Sequence, residues 1–133
     1  MSEADLMRLL QRRASQLGAR LFRQNVGQAW TGMLERGNGR VVRLGPGDVV
    51  LRNARPFHAG VSGMSDLGGW LPVQVTPDMV GSTIAIYVQV EVKAGGRPTS
   101  EQLAWIAAVN KAGGRAGVAH NEAELSEIIN GLL

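Results

Sequence analysis

Residues 88–93 read VQVEVK, a strand by pattern that ends in a carboxylate and an ammonium two residues apart. Side chains alternate across a strand, so Glu91 and Lys93 share one face, about 7 Å apart along the backbone. A carboxylate there could hold a hard divalent cation, while the neighbouring ammonium orients a water or steadies developing negative charge. The same two groups could equally form a solvated ion pair at a strand end, an arrangement worth little energetically. Magnesium prefers octahedral oxygen, and one carboxylate rarely suffices. A second stands in SGMSDLGGW, where Asp66 is either ordinary turn chemistry or a partner for Glu91, if the following WLPVQV strand pairs beside 83–93.

Around these residues the elements can be placed by pattern. A helix is expected over 2–17, with Leu6, Leu10, Ala14 and Leu17 near the helical period and Ser2 with Asp5 as a capping box. A short strand follows at 19–26, then a loop, WTGMLERGNGR. VVRL and DVVLRN read as short strands about a Gly-Pro-Gly turn, and 55–69 as an irregular glycine-rich stretch. WLPVQV is a strand candidate, at an edge or a bulge because of Pro72. The clearest strand is 83–93, with Ile84, Ile86, Val88, Val90 and Val92 on the face expected to enter the core. A helix over 99–113, a strand RAGVAH and a C-terminal helix opened by Asn121 and Glu124 complete the chain. This order predicts one α/β domain over 1–133, with a mixed central sheet flanked by helices.

Charge and composition limit the chemistry. The chain of 133 residues has no cysteine, which excludes disulfides and thiolate catalysis and fits a reducing interior. Two isolated histidines, His58 and His120, do not make a usual zinc site. No apolar run approaches a membrane span, and the N-terminus lacks the form of a secretory signal. Residues 1–60 hold ten bases against four acids, and 61–133 four against seven. Twelve of the fourteen bases are arginine, whose fork matches phosphate geometry. Arg20, Arg23 and Arg36 are candidates to neutralise phosphates in the basic half; a solvated basic face is the alternative. Trp30, Trp70 and Trp105 read as core or interface anchors; of the three only Trp30, in a glycine-rich loop flanked by arginines, could instead touch a base.

GMSDLGGW followed by VQVEVKAGGRPTSEQLAWIAAVNKAGG resembles the virus-type replication-repair nuclease (VRR-NUC) family, within the PD-(D/E)xK nuclease superfamily. The aspartate, the ExK strand end and the T-S-E-Q opening of a helix stand in the family's order and spacing. The leading helix and RLFRQNVG fit as well, and Ser65 stands where the pattern has proline. The resemblance implies a restriction-endonuclease-like core. It implies Mg²⁺ or Mn²⁺ held by Asp66, Glu91 and the backbone carbonyl of Val92, with Glu3 approaching directly or through water. Lys93 would be the catalytic lysine, and Gln102 would reach into the site from the first turn of its helix. Gln102 also suits a capping box with Thr99, and Glu3 suits a helix dipole; these roles can coexist. Arg23 and Asn25 would meet phosphate. The implied activity is metal-dependent, structure-selective DNA cleavage like that of Holliday-junction resolvases, in the cytoplasm of a bacterial or phage-infected cell. A catalytically idle nucleic-acid-binding or assembly protein on the same fold is the alternative. Paired cuts on a junction call for a homodimer, for which the ELSEIINGLL helix and Trp70-Leu71 offer apolar surface.

Overall fold

The computed structural model describes residues 1–35, 39 and 41–131. The chain divides into two compact units, one of residues 1–22 and 69–133, the other of residues 23–68.

In the first unit, α1 (Glu3–Gln16) starts as expected. Ser2 Oγ accepts from Asp5 N at 3.1 Å, and Asp5 reaches back to Ser2 N at 3.3 Å. The main packing lies between β5 (Val88–Val92), α2 (Ser100–Lys111), β6 (Arg115–Ala119) and α3 (Glu122–Asn130). β5 and β6 run parallel, with Glu91 opposite Val118, and α2 is the crossover that parallel strands require. β6 is the most buried strand, through Ala116, Gly117 and Ala119. Val109 of α2 and Ile128 of α3 are the largest fully buried side chains. Each contributes on the order of 1.5–3 kcal/mol by leaving water. Asn110 locks the end of α2 to the start of β6. Its amide donates to Ala116 O at 3.0 Å and accepts from Ala116 N at 2.8 Å, as a strand neighbour would. α3 opens on Asn121, whose side chain accepts from Glu124 N at 2.9 Å. The Glu124 carboxylate turns instead to His120, taking its backbone N–H at 2.7 Å, so Asn121 and Glu124 make only half of a capping box.

The second unit is built on β2 (Gly27–Leu34) and β3 (Leu51–Ala59), an antiparallel pair. The remaining strands, β1 (Arg20–Arg23) and β4 (Leu67–Trp70), pair with each other. Gly69 has a steric reason to be glycine, since a Cβ there would lie 1.8 Å from the Arg20 carbonyl oxygen.

Several expected boundaries move. β1 stops at Arg23 rather than 26. Residues 30–34, expected as loop, belong to β2, because pairing with β3 outweighs their local glycine content. VVRL is not a strand, and β3 starts at Leu51 and runs into the stretch expected to be irregular. Of WLPVQV only Trp70 lies in a strand; Pro72 brings no N–H to a ladder. The 83–93 strand shrinks to Val88–Val92, because its partner β6 has only five residues. Its aliphatic face is not uniformly core: Val88 and Val90 are half-buried, while Ile84, Ile86 and Val92 are exposed. Among the described residues the strands form three two-stranded sheets where one central sheet was expected.

Candidate nuclease site

Position on β5 decides the chemistry of the first unit. Alternation brings Gln89, Glu91 and Lys93 to one side of the strand, and α2 opens against it. Lys93 lies one residue past β5, yet its N–H still donates to Ala119 O at 3.1 Å, so its backbone is held in the ladder. The two side chains then converge, with Lys93 Nζ 3.0 Å from Glu91 Oε1. Neither is freely solvated, at 21% exposure for Lys93 and 27% for Glu91. The pair therefore differs from a loose ion pair at a wet strand end.

Gln102 joins the same oxygen. Its Nε2 donates to Glu91 Oε1 at 2.7 Å, while its own Oε1 accepts from Thr99 N at 2.8 Å. Thr99 Oγ1 completes the capping box by accepting from Gln102 N at 3.2 Å. Capping and reaching into the site are thus one arrangement: the side chain that satisfies the helix donor also grips the carboxylate. Both partners of Glu91 use Oε1, and no bond to Oε2 is seen among the described residues.

One turn on, Trp105 Nε1 donates to Gln89 Oε1 at 3.3 Å. A small cleft of about 190 Å³ is lined by Gln89, Glu91, Glu101, Gln102, Trp105 and neighbours. Gln89 and Glu101 were not singled out in the sequence. Gln89 was legible as the residue two before Glu91 on the polar face. Glu101 was hidden as an ordinary first-turn acid of α2.

Beside the cleft, Trp105 belongs to an aromatic cluster. Its ring centroid lies 5.0 Å from that of Phe22 and 5.5 Å from that of Trp70, which in turn lies 5.2 Å from Tyr87. Trp70 and Trp105 thus pack as anchors, as expected. The Arg20 guanidinium sits over this cluster, 5.1 Å from Phe22, 5.4 Å from Trp70 and 5.7 Å from Trp105. Such stacking holds the planar group while leaving its edge N–H donors able to meet phosphate. Arg20 forms no ion pair among the described residues.

The other expected residues are placed as follows. Asp66 belongs to the second unit, immediately before β4, and its carbonyl accepts from Gln24 N at 2.8 Å. Glu3 stands exposed in the first turn of α1. Arg23 ends β1, and Asn25 follows it, both exposed. Val92 is the last residue of β5. Arg36 lies outside the described residues. Among those residues no group of three or more His, Asp or Glu side chains gathers as a metal cluster. A hard divalent cation still fits the donor set: the Glu91 carboxylate keeps one oxygen uncommitted, and carboxylate and carbonyl oxygens are the ligands such ions take. Among the described residues no helix is long and apolar enough to cross a membrane.

No curated protein and no solved structure gives a significant match. The family model of the VRR-NUC domain, however, matches residues 2–123, nearly the whole chain and including Asp66, Glu91, Lys93 and Gln102. With ExK and the helix-opening glutamine joined through one carboxylate oxygen, the chain belongs to the VRR-NUC family of nuclease domains.

Proposed function

We propose that the chain is a metal-dependent DNA endonuclease that hydrolyses phosphodiester bonds, selects branched DNA and works as a homodimer. In this reading its two units together form one nuclease domain of the restriction-endonuclease-like type. The observation that carries it is the grip on Glu91: Lys93 and Gln102 both hold Oε1, so the carboxylate is oriented with Oε2 left for a ligand. Asp66, Glu91 and the Val92 carbonyl would hold Mg²⁺ or Mn²⁺, with Glu3 assisting through water. When bound, the ion supplies Lewis acidity and lowers the pKa of water.

The chain's own residues do the rest. Gln102 fixes the rotamer of Glu91. Lys93, held by the β6 ladder, offers its ammonium to the attacking water or to the charge that gathers on the phosphoryl oxygens. The water oxygen bonds to phosphorus, one P–O ester bond breaks, and the released sugar oxygen takes a proton. Arg20, Arg23 and Asn25 position the phosphates, with Arg36 as a further candidate.

The test is cleavage of matched single-stranded, duplex, flap and four-way-junction DNA, with and without Mg²⁺ or Mn²⁺. Glu91→Ala and Asp66→Ala should each lower cleavage by on the order of 100-fold or more, the scale of a lost electrostatic group at a reacting centre. The fold should survive, as read by an unchanged circular dichroism spectrum. Full cleavage by purified Glu91→Ala would end the assignment.

A further inference from the structure

The formal charge of the chain has an address. Residues 23–68 carry six arginines and three acids, a net +3 that equals the charge of the whole chain; the other residues hold eight bases and eight acids. In this unit β2 and β3 form a ribbon that pairs from Gly27 with Ala59 to Leu34 with Leu51. Neither strand has a buried residue, and Phe57 is 48% exposed. A ribbon that buries so little of itself is poorly explained as core.

The unit's acids are partly spoken for. Glu35 Oε2 accepts from Arg52 Nε at 2.6 Å, and Asp48 Oδ2 accepts from Gly45 N at 2.7 Å. Arg52 is neutralised by this pairing. Arg55 is exposed and forms no ion pair among the described residues. A bulge separates the two arginines. Between the Thr31–Arg55 and Met33–Arg52 pairs, β2 has only Gly32 while β3 has Asn53 and Ala54. Asn53 adopts the left-handed conformation, with φ 53°. Gly32 is held to glycine, because a Cβ would lie 2.8 Å from the Arg52 carbonyl oxygen. Bulges of this kind re-aim side chains. Beyond it, the register places Thr31, Arg55, Ala29 and Phe57 on one face, with Trp30, Pro56, Gln28 and His58 on the other.

From this we infer that the β2–β3 ribbon is a groove-binding element for duplex DNA, with its Thr31–Arg55–Phe57 face turned to the DNA. A two-stranded ribbon fits the major groove, and arginine, threonine and phenylalanine are side chains that meet phosphates, base edges and thymine methyls there. The charge excess of the unit complements the duplex. The inference rests on the nuclease reading for its choice of DNA, yet it can fail separately.

The experiment is anisotropy of a labelled DNA duplex titrated with the full chain in EDTA, where cleavage is blocked, at several salt concentrations. Arg55→Ala should weaken binding about tenfold and lower the salt slope by about one. Arg55→Lys should recover the slope, and Phe57→Ala should weaken binding without changing it. Gln28→Ala, on the opposite face, and Arg12→Ala, on α1, should stay within about twofold of wild type, the scatter of an uninvolved surface site. Unchanged binding by Arg55→Ala overturns the inference. So does equal weakening by Arg12→Ala, or a loss confined to Gln28→Ala. Arg55-dependent binding by a chain that cleaves no DNA in Mg²⁺ or Mn²⁺ upholds the ribbon and overturns the nuclease reading. Cleavage with an unaltered KM in Arg55→Ala does the reverse.

Discussion

Glu91 has two donors on one oxygen, and the consequences differ for each. Gln102 connects a helix cap to a carboxylate, so it is a positioning residue whose two jobs can be separated. Gln102→Leu should lose about 1 kcal/mol of stability, from the cap bond, and should lower kcat while leaving KM. Gln102→Glu can rebuild the capping box, but it sets a carboxylate against Glu91. Its urea midpoint should therefore recover while its turnover does not; recovery of both would make Gln102 a cap alone. Arg20 poses a similar choice. If its guanidinium meets phosphate from its seat on three rings, Arg20→Ala should flatten the salt dependence of DNA affinity by about one unit. If it only covers the aromatics, the slope should hold and stability should drop by about 0.5–1 kcal/mol, the worth of an exposed cation–π contact.

At the level of elements, α3 is tied to its preceding loop by a titrating group. Glu124 takes the His120 backbone N–H at 2.7 Å and the His120 ring Nδ1 at 2.8 Å. These bonds, the backbone one foremost, hold its carboxyl below the ordinary glutamate value of 4.5. A depressed acid stabilises the folded state above its unfolded pKa, and that support is lost as pH falls through the lower folded value. Helicity at α3 should thus weaken as pH drops below about 4.5, and Glu124→Gln should remove that pH dependence, as read by amide exchange. The sequence showed α1, α2, β6 and α3 clearly, because caps and helical periodicity are local. It also carried the site: Glu91, Lys93 and Gln102 meet through alternation on one strand and the first turn of one helix. What it hid was non-local. Residues 30–34 of β2 looked like loop because Gly32 serves a bulge visible only when the strands are paired, and most of β3 past Asn53 looked irregular for want of its partner. The aliphatic run from Ile84 to Val92 looked like core because alternation says which residues share a face, not whether anything covers it.

For the molecule as a whole, the count of active sites sets the number of cuts. One site can nick one strand, whereas resolving a four-way junction takes two symmetric incisions, and a two-fold dimer supplies two sites at a fixed spacing. Part of the apolar surface read from the sequence does stand in contact with solvent in a single chain, while Ile128 is buried and Trp70 packs among aromatic rings. Leu125 and Ile129 of α3 are 40% and 45% exposed, and Leu71, just past β4, is 57% exposed. Exposed aliphatic side chains that flank buried Ile128 on the apolar side of α3 are suited to an isologous contact, in which the same patch meets itself. The expected result is a dimer at micromolar concentration, seen by light scattering as twice the 14.2 kDa chain, and Leu125→Glu with Ile129→Glu should return it to the monomer. On a four-way junction the dimer should make paired incisions at symmetric positions. The monomeric double variant should make single, uncoordinated nicks at an undiminished rate per site. A wild-type chain that scatters as one clean monomer removes the dimer. A dimer that cuts linear duplex and junction equally fast leaves the nuclease in place and removes its preference for branches.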